Sequence, residues 1–137
     1  MRKIAGIVVG IVLAGIVVEG AWYLAERWFP APLPPDIDTA GMLAQFVVAM
    51  PLAGQALIAF GWSLAGLLGG FAALRVAQWR PAGWAVLAFI LAVATWDLTQ
   101  LAHPWWLIAA TLALPVLGNA LAEWHFHRAR PGDPLIG

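Results

Sequence analysis

Five polar side chains have types and positions that could support chemistry in an otherwise apolar chain. They are Glu19, Gln55, Asp97, Gln100 and His103. Ionisable groups inside an apolar helix are costly and usually face the protein interior or a cavity. Glu19 or Asp97 could therefore carry a proton or bind a cationic ligand in a polar pocket. The alternative is a structural cluster in which a carboxylate pairs with His103, Arg27 or the backbone. The second hypothesis is favoured, because these residues lie near the ends of apolar segments, where water is within reach.

Composition separates this chain from soluble globular proteins. Of 137 residues, 63% are hydrophobic and 10% are charged, whereas soluble domains are about half apolar and a quarter charged. Mean hydropathy is +0.85, which predicts a protein that contacts a lipid bilayer. Zero formal net charge gives no electrostatic basis for binding nucleic acid. The absence of cysteine excludes disulfides, thiolate metal sites and a cysteine nucleophile.

Four segments reach the length of about 20 mostly apolar residues that a spanning helix needs. The predicted spans are 4–24, 52–74, 82–101 and 105–122. The stretch PAPLPPDID (30–38) contains four prolines and cannot be helical. A short interfacial helix over 39–50 follows it, and 123–137 form a tail. The sequence thus predicts an all-α fold, a single membrane domain over 1–137 built as an integral membrane four-helix bundle with an interfacial helix between spans 1 and 2.

Basic residues predict the orientation of the bundle. One side of the membrane holds Arg2, Lys3, Arg75, Arg80, Arg128 and Arg130, and the opposite side holds Arg27. Cytoplasmic loops carry the excess of lysine and arginine, so we expect a multi-pass protein of the bacterial inner membrane with both termini in the cytoplasm. MRKIAGIVVGIVLAG resembles a signal peptide, but no A-x-A site follows, so we expect an uncleaved helix.

Small residues recur at helical spacing and predict how the helices pack. Lipid tails are as apolar as leucine, so close backbone contact through small side chains drives association in a bilayer. The candidate packing residues are Gly6, Gly10, Gly66, Gly69 and Gly70, with Ala14, Ala65 and Ala73 in the same series. They indicate a tightly packed bundle or a dimer face, and a glycine face that opens a substrate path is the less favoured alternative.

The chain is rich in tryptophan, and one of its nine tryptophans stands apart. The other eight lie near predicted span ends, as in an aromatic belt. Trp62 is in mid-span beside Gly61 and Ser63, where its N–H needs a partner. It is either a core residue or part of a cleft for a lipid or pigment.

No known catalytic motif is present, and we expect a protein without enzymatic activity, cofactor or metal. Glu123, His125 and His127 in EWHFH would converge on a metal only if that segment were extended, because residues two apart on a helix point in different directions. Ser63 is the only serine and has no acid or histidine near it in sequence. Asn119 is expected to satisfy backbone groups freed by Pro115 or to contact a neighbouring helix.

Several short motifs resemble a group of small bacterial four-span membrane proteins that have no assigned function. The matching motifs are VVEG (17–20), PLPPDID (32–38), AMPLAG (49–54), GWSLAGLLGGFAA (61–73) and AHPWW (102–106). The resemblance covers most of the chain and implies no catalytic residues.

Three functional hypotheses follow. The first is an accessory or scaffolding subunit of a membrane complex. Its helices would pack laterally against those of a partner protein or, in a homo-oligomer, against those of further copies of this chain. The second is a small oligomeric transporter or channel whose outward-facing carboxylate site consists of Glu19 and Asp97. The third is a lipid- or pigment-binding protein that uses Trp62.

Overall fold

The structure, a computed structural model, describes residues 1–126, and all regular secondary structure in that part of the chain is helical. The α-helices are α1 (Arg2–Trp28), α2 (Thr39–Ala49), α3 (Leu52–Leu64), α4 (Gly70–Ala77), α5 (Pro81–Gln100) and α6 (Trp105–Phe126). A π-helical segment, Ala65–Gly69, joins α3 to α4 and makes one long helix, Leu52–Ala77. This second spanning helix, α1, α5 and α6 are each long and apolar enough to cross a membrane. The predicted all-α four-helix bundle is therefore confirmed, and the chain is built as a multi-pass membrane protein.

The helix ends follow local backbone chemistry. α1 runs past the predicted 4–24 because nothing breaks it before Pro30, and Phe29 leaves the helical region at φ −133° and ψ 58°, as expected for a residue before proline. The second spanning helix extends beyond residue 74 to Ala77, and Gln78 ends it in the left-handed region at φ 50°. α6 continues to Phe126, so the first four residues assigned to the tail are helical.

Spanning helices that follow one another in sequence run antiparallel. Gly6 lies against Ala77, and Gly61 lies against Ala21, which fixes the direction of α1 relative to the second spanning helix. One end of the bundle therefore carries the start of α1 and the end of α6, and is called the N-terminal end. The other carries α2 and the turn between α5 and α6, and is called the α2 end.

Buried glycines bring the backbones of neighbouring helices into close contact inside the bundle. The glycines at 6, 10, 66, 69 and 70 are all buried between helices of this chain. A Cβ added at Gly10 would lie 2.6 Å from the carbonyl oxygen of Gly69, and one added at Gly69 would lie 2.9 Å from the Cβ of Ala14. These glycines therefore serve packing within one chain.

The π-helical segment lies against the proline of α6. A Cβ added at Gly66 would overlap the carbonyl oxygen of Pro115, and one added at Gly118 would overlap the carbonyl oxygen of Ser63. α6 stays helical on both sides of Pro115. A widened turn lies in the helix that faces it, so two departures from regular α-helix meet in the bundle interior.

α2 packs against the bundle at the end where the second spanning helix begins. Asp38 caps it by accepting a hydrogen bond from the N–H of Gly41 at 2.8 Å, as expected for an N-cap aspartate. Val47 is fully buried and packs in a small cluster with Ala59 and Leu107. The N–H of Ala102 also donates to the carbonyl oxygen of Leu43 at 3.3 Å. α2 is thus attached to both the second spanning helix and the α5–α6 turn.

Candidate functional site

Gln55 attaches α2 to the second spanning helix. It is 6% exposed, and its side-chain amide donates to the carbonyl oxygens of Val47 and Met50, each at 3.0 Å. Both carbonyls lie at the C-terminal end of α2, where a helix leaves carbonyl groups without intrahelical partners. Gln55, one of the five predicted cluster residues, therefore has a structural contact with the backbone.

Asp97 and His103 form a second, separate pair at the α2 end. Nδ1 of His103 lies 2.7 Å from the carbonyl oxygen of Leu101, and because a carbonyl only accepts, Nδ1 carries a proton. Nε2 of His103 lies 3.6 Å from Oδ2 of Asp97, which is buried and has no hydrogen-bond partner. A second proton on the imidazole would make this contact an ion pair. Gln100 is exposed and donates to the hydroxyl of Thr99 at 3.2 Å, so it does not join the pair.

Glu19 lies apart from Gln55 and from the Asp97–His103 pair, beside a cleft between α1 and α5. The cleft has a volume of about 60 Å³ and is otherwise apolar. Its lining residues are Ile11, Ala14, Gly15, Val18, Glu19, Trp62, Phe89, Ile90 and Val93. Glu19 is exposed and forms no ion pair or hydrogen bond with any residue among 1–126. The five residues of the predicted polar cluster are thus divided among separate places instead of facing a common pocket.

Trp62 lines the inner side of the same cleft. The residue is 2% exposed, and its indole N–H has no hydrogen-bond partner within the described chain. Sites for drug-sized ligands occupy about 300–1,000 Å³, so a cleft of about 60 Å³ accommodates a side chain or a short piece of an acyl chain. The enclosed volume beside Trp62 is smaller than a whole pigment.

A larger cavity lies under α2, and its carboxylate was not among the predicted site residues. This cavity, the α2 pocket, has a volume of about 270 Å³ and is lined by Trp22, Glu26, Met42, Leu43, Phe46 and Leu101. Glu26 lies two residues past the predicted end of the first span, 4–24. The sequence does place Trp22 and Glu26 one helical turn apart, on the same side of α1. It does not show that α2 covers these two residues, because that depends on the tertiary fold.

The remaining polar groups make contacts near the N-terminal end. Arg80 Nε lies 3.4 Å from Oε1 of Glu123, and the ring of His125 lies 6.0 Å from that of Phe71. His127 lies outside the described residues. Asn119 is buried with its side-chain oxygen directed at the α-carbon of Gly70, in contact with a neighbouring helix. Within residues 1–126, no group of three or more acidic or histidine side chains could hold a metal ion.

Comparison with protein-family models, curated protein sequences and solved structures finds no match to this chain.

Proposed function

We propose that this protein is a non-enzymatic accessory subunit that packs, through α1, against a helix of another membrane protein. The observation that carries the proposal is the placement of Glu19. Only 22% of the most apolar window of α1 is buried, compared with 56% for the second spanning helix. Glu19 is exposed on this helix, about 26 Å along it from Arg2 at 1.5 Å per residue. A carboxylate on a spanning helix is costly even toward the end of the span, and a donor or cation on a partner helix would offset that cost.

Small residues beside Glu19 leave room for a close contact. A Cβ added at Gly15 or Gly20 would meet nothing within 4 Å, unlike one added at Gly10. Small residues let two backbones approach closely in a bilayer. The cleft of about 60 Å³ beside Gly15 is of a size to receive one apolar side chain. The α1 surface therefore combines a space for an apolar side chain with an acceptor for a polar one.

The charge on Glu19 favours a different protein over a second copy as the partner. A two-fold symmetric contact through α1 uses the same surface on both copies, which would bring two Glu19 carboxylates together. The basic residues of the described chain are at positions 2, 3, 27, 75 and 80, near the ends of the spanning helices. A second copy in the same orientation therefore offers no cation at the depth of Glu19.

The proposed location is the bacterial inner membrane, with the N-terminal end of the bundle in the cytoplasm. Arg2, Lys3, Arg75 and Arg80 lie at that end, and Arg27 lies at the other. The excess of positive charge on the cytoplasmic side supports this orientation. Reporter fusions placed in the 30–38 loop and after the last helix would test it, because the loop should be periplasmic and the C-terminus cytoplasmic.

Site-specific photocrosslinking in intact bacteria tests the association. A photoreactive residue at Ile16 should give one discrete adduct with a foreign membrane protein, and the adduct should be lost in Gly15→Leu and Glu19→Leu. The same group at Leu117, exposed on α6, serves as the matched control. An adduct with the mass of two copies of this chain, or one that persists in both variants, would contradict the proposal.

A further inference from the structure

The α2 pocket contains one carboxylate set against apolar and aromatic walls. Trp22 and Glu26 come from α1, and Met42, Leu43 and Phe46 come from α2. Leu101, at the end of α5, closes the third side. Glu26 is exposed, and it has neither an ion pair nor a hydrogen bond with another residue among 1–126. Its carboxylate is therefore available to an occupant that carries a positive charge.

The aromatic walls suit an organic cation better than a metal ion. Trp22 and Phe46 line the pocket from two different helices, with Glu26 one turn beyond Trp22. An ammonium group within about 6 Å of an aromatic ring centre is attracted by the ring face, most strongly by tryptophan. A metal ion would need several oxygen or nitrogen ligands, whereas Glu26 is the only ionisable residue lining this pocket.

Size and position specify the occupant further. The volume of about 270 Å³ is below the usual 300–1,000 Å³ of a site for a drug-sized ligand, so the pocket holds a head group and not a long chain. It lies at the α2 end of the bundle, where spanning helices end and an amphiphile would place its polar group. We propose that the α2 pocket binds the ammonium group of an amphiphile, with Glu26 as counter-ion and with Trp22 and Phe46 against the cation.

Native mass spectrometry of the full-length protein in mild detergent tests this site. Phosphatidylethanolamine and phosphatidylglycerol with identical acyl chains are the probes, since only the first carries an ammonium group. The wild-type protein should bind the ethanolamine lipid preferentially. Glu26→Gln should lower its affinity about tenfold, the ratio expected when a charged hydrogen bond is lost. Trp22→Leu should lower it by a few fold. Measurable and equal binding of the two lipids, or unchanged affinity in Glu26→Gln, would overturn the proposal.

Two further measurements separate this site from the α1 surface and identify the source of the ammonium group. Glu19→Gln is the matched control, because it removes a carboxylate from the same helix outside the pocket. This variant should retain the lipid preference, and an equal loss would overturn the assignment to Glu26.

Dodecylammonium is tested as a free amine in place of the lipid. Binding of the lipid alone assigns the site to a membrane lipid, binding of the amine alone assigns it to a soluble amphiphile, and binding of neither overturns it. The site does not depend on the proposed partner of α1.

Discussion

Gly66 in the π-helical segment lies directly against the carbonyl of Pro115 on α6. The contact is between backbones, because glycine has no side chain and the proline carbonyl faces it. It joins the one widened turn of the second spanning helix to the one proline inside α6. Side chains cannot be added at this point without separating two of the four spanning helices.

Gly66→Ala should destabilise the protein, because the new Cβ overlaps the carbonyl oxygen of Pro115. We expect a loss of about 1–3 kcal/mol, the usual cost of overpacking a core. Thermal unfolding in mild detergent measures the change. Gly20→Ala is the control, since a Cβ there meets nothing within 4 Å. Alanine has the better helix propensity, so this variant should be as stable as the wild type or more so. Equal destabilisation by the two changes would refute the packing argument.

Gln55→Leu should loosen α2 while leaving the four spanning helices in place. The change removes the donor that bonds the carbonyl oxygens of Val47 and Met50, and the expected cost is about 1–3 kcal/mol. Faster hydrogen exchange confined to 39–49 would report the detachment. Gln45→Leu on the exposed side of α2 should have little effect. Unchanged exchange in the Gln55 variant would show that the other contacts of α2, through Val47 and Leu43, hold it without Gln55.

Asp97 and His103 should be energetically coupled. Nε2 of His103 and Oδ2 of Asp97 are 3.6 Å apart, and the histidine side chain is only 2% exposed. His103→Leu removes the imidazole beside the buried Oδ2 of Asp97, so Asp97→Asn added to it should recover part of the lost stability. A double-mutant cycle should give a coupling of about 0.5–3 kcal/mol. Strictly additive losses of stability in the two single variants would argue against the pair. In a separate measurement, nitrogen NMR of the His103 ring should find a proton on Nδ1.

Glu19→Gln should leave the isolated protein as stable as the wild type. Glu19 is exposed and has no partner within residues 1–126, and changes at such positions usually alter stability by less than about 0.5 kcal/mol. Unfolding of the purified variant measures this directly. A loss of several kcal/mol would place Glu19 in the packing of the bundle itself, and would remove the reason to seek its partner on another protein.

Local sequence determined the helices and much of their extent. Apolar length specifies a spanning helix because a bilayer offers no hydrogen bonds to the backbone, so each segment must satisfy its own. Asp38, directly before α2, accepts a hydrogen bond from the N–H of Gly41, as the N-cap preference for aspartate leads one to expect. Pro30 likewise ends α1 through a local steric restriction. These effects act within a few residues, and a sequence shows them directly.

Only the tertiary structure decided which polar residues meet. Glu19, Gln55 and Asp97 were named as members of one candidate polar cluster near the ends of the spans. In the structure, Glu19 lies beside a cleft, Gln55 bonds the end of α2, and Asp97 lies next to His103. Depth follows from counting residues along each helix, whereas the direction of a side chain follows from how that helix is rotated against its neighbours. That rotation is set by contacts between residues far apart in sequence, such as Gly10 with Gly69 and Gly66 with Pro115. The α2 pocket around Glu26 has the same origin, because it exists only once α2 lies across the end of α1.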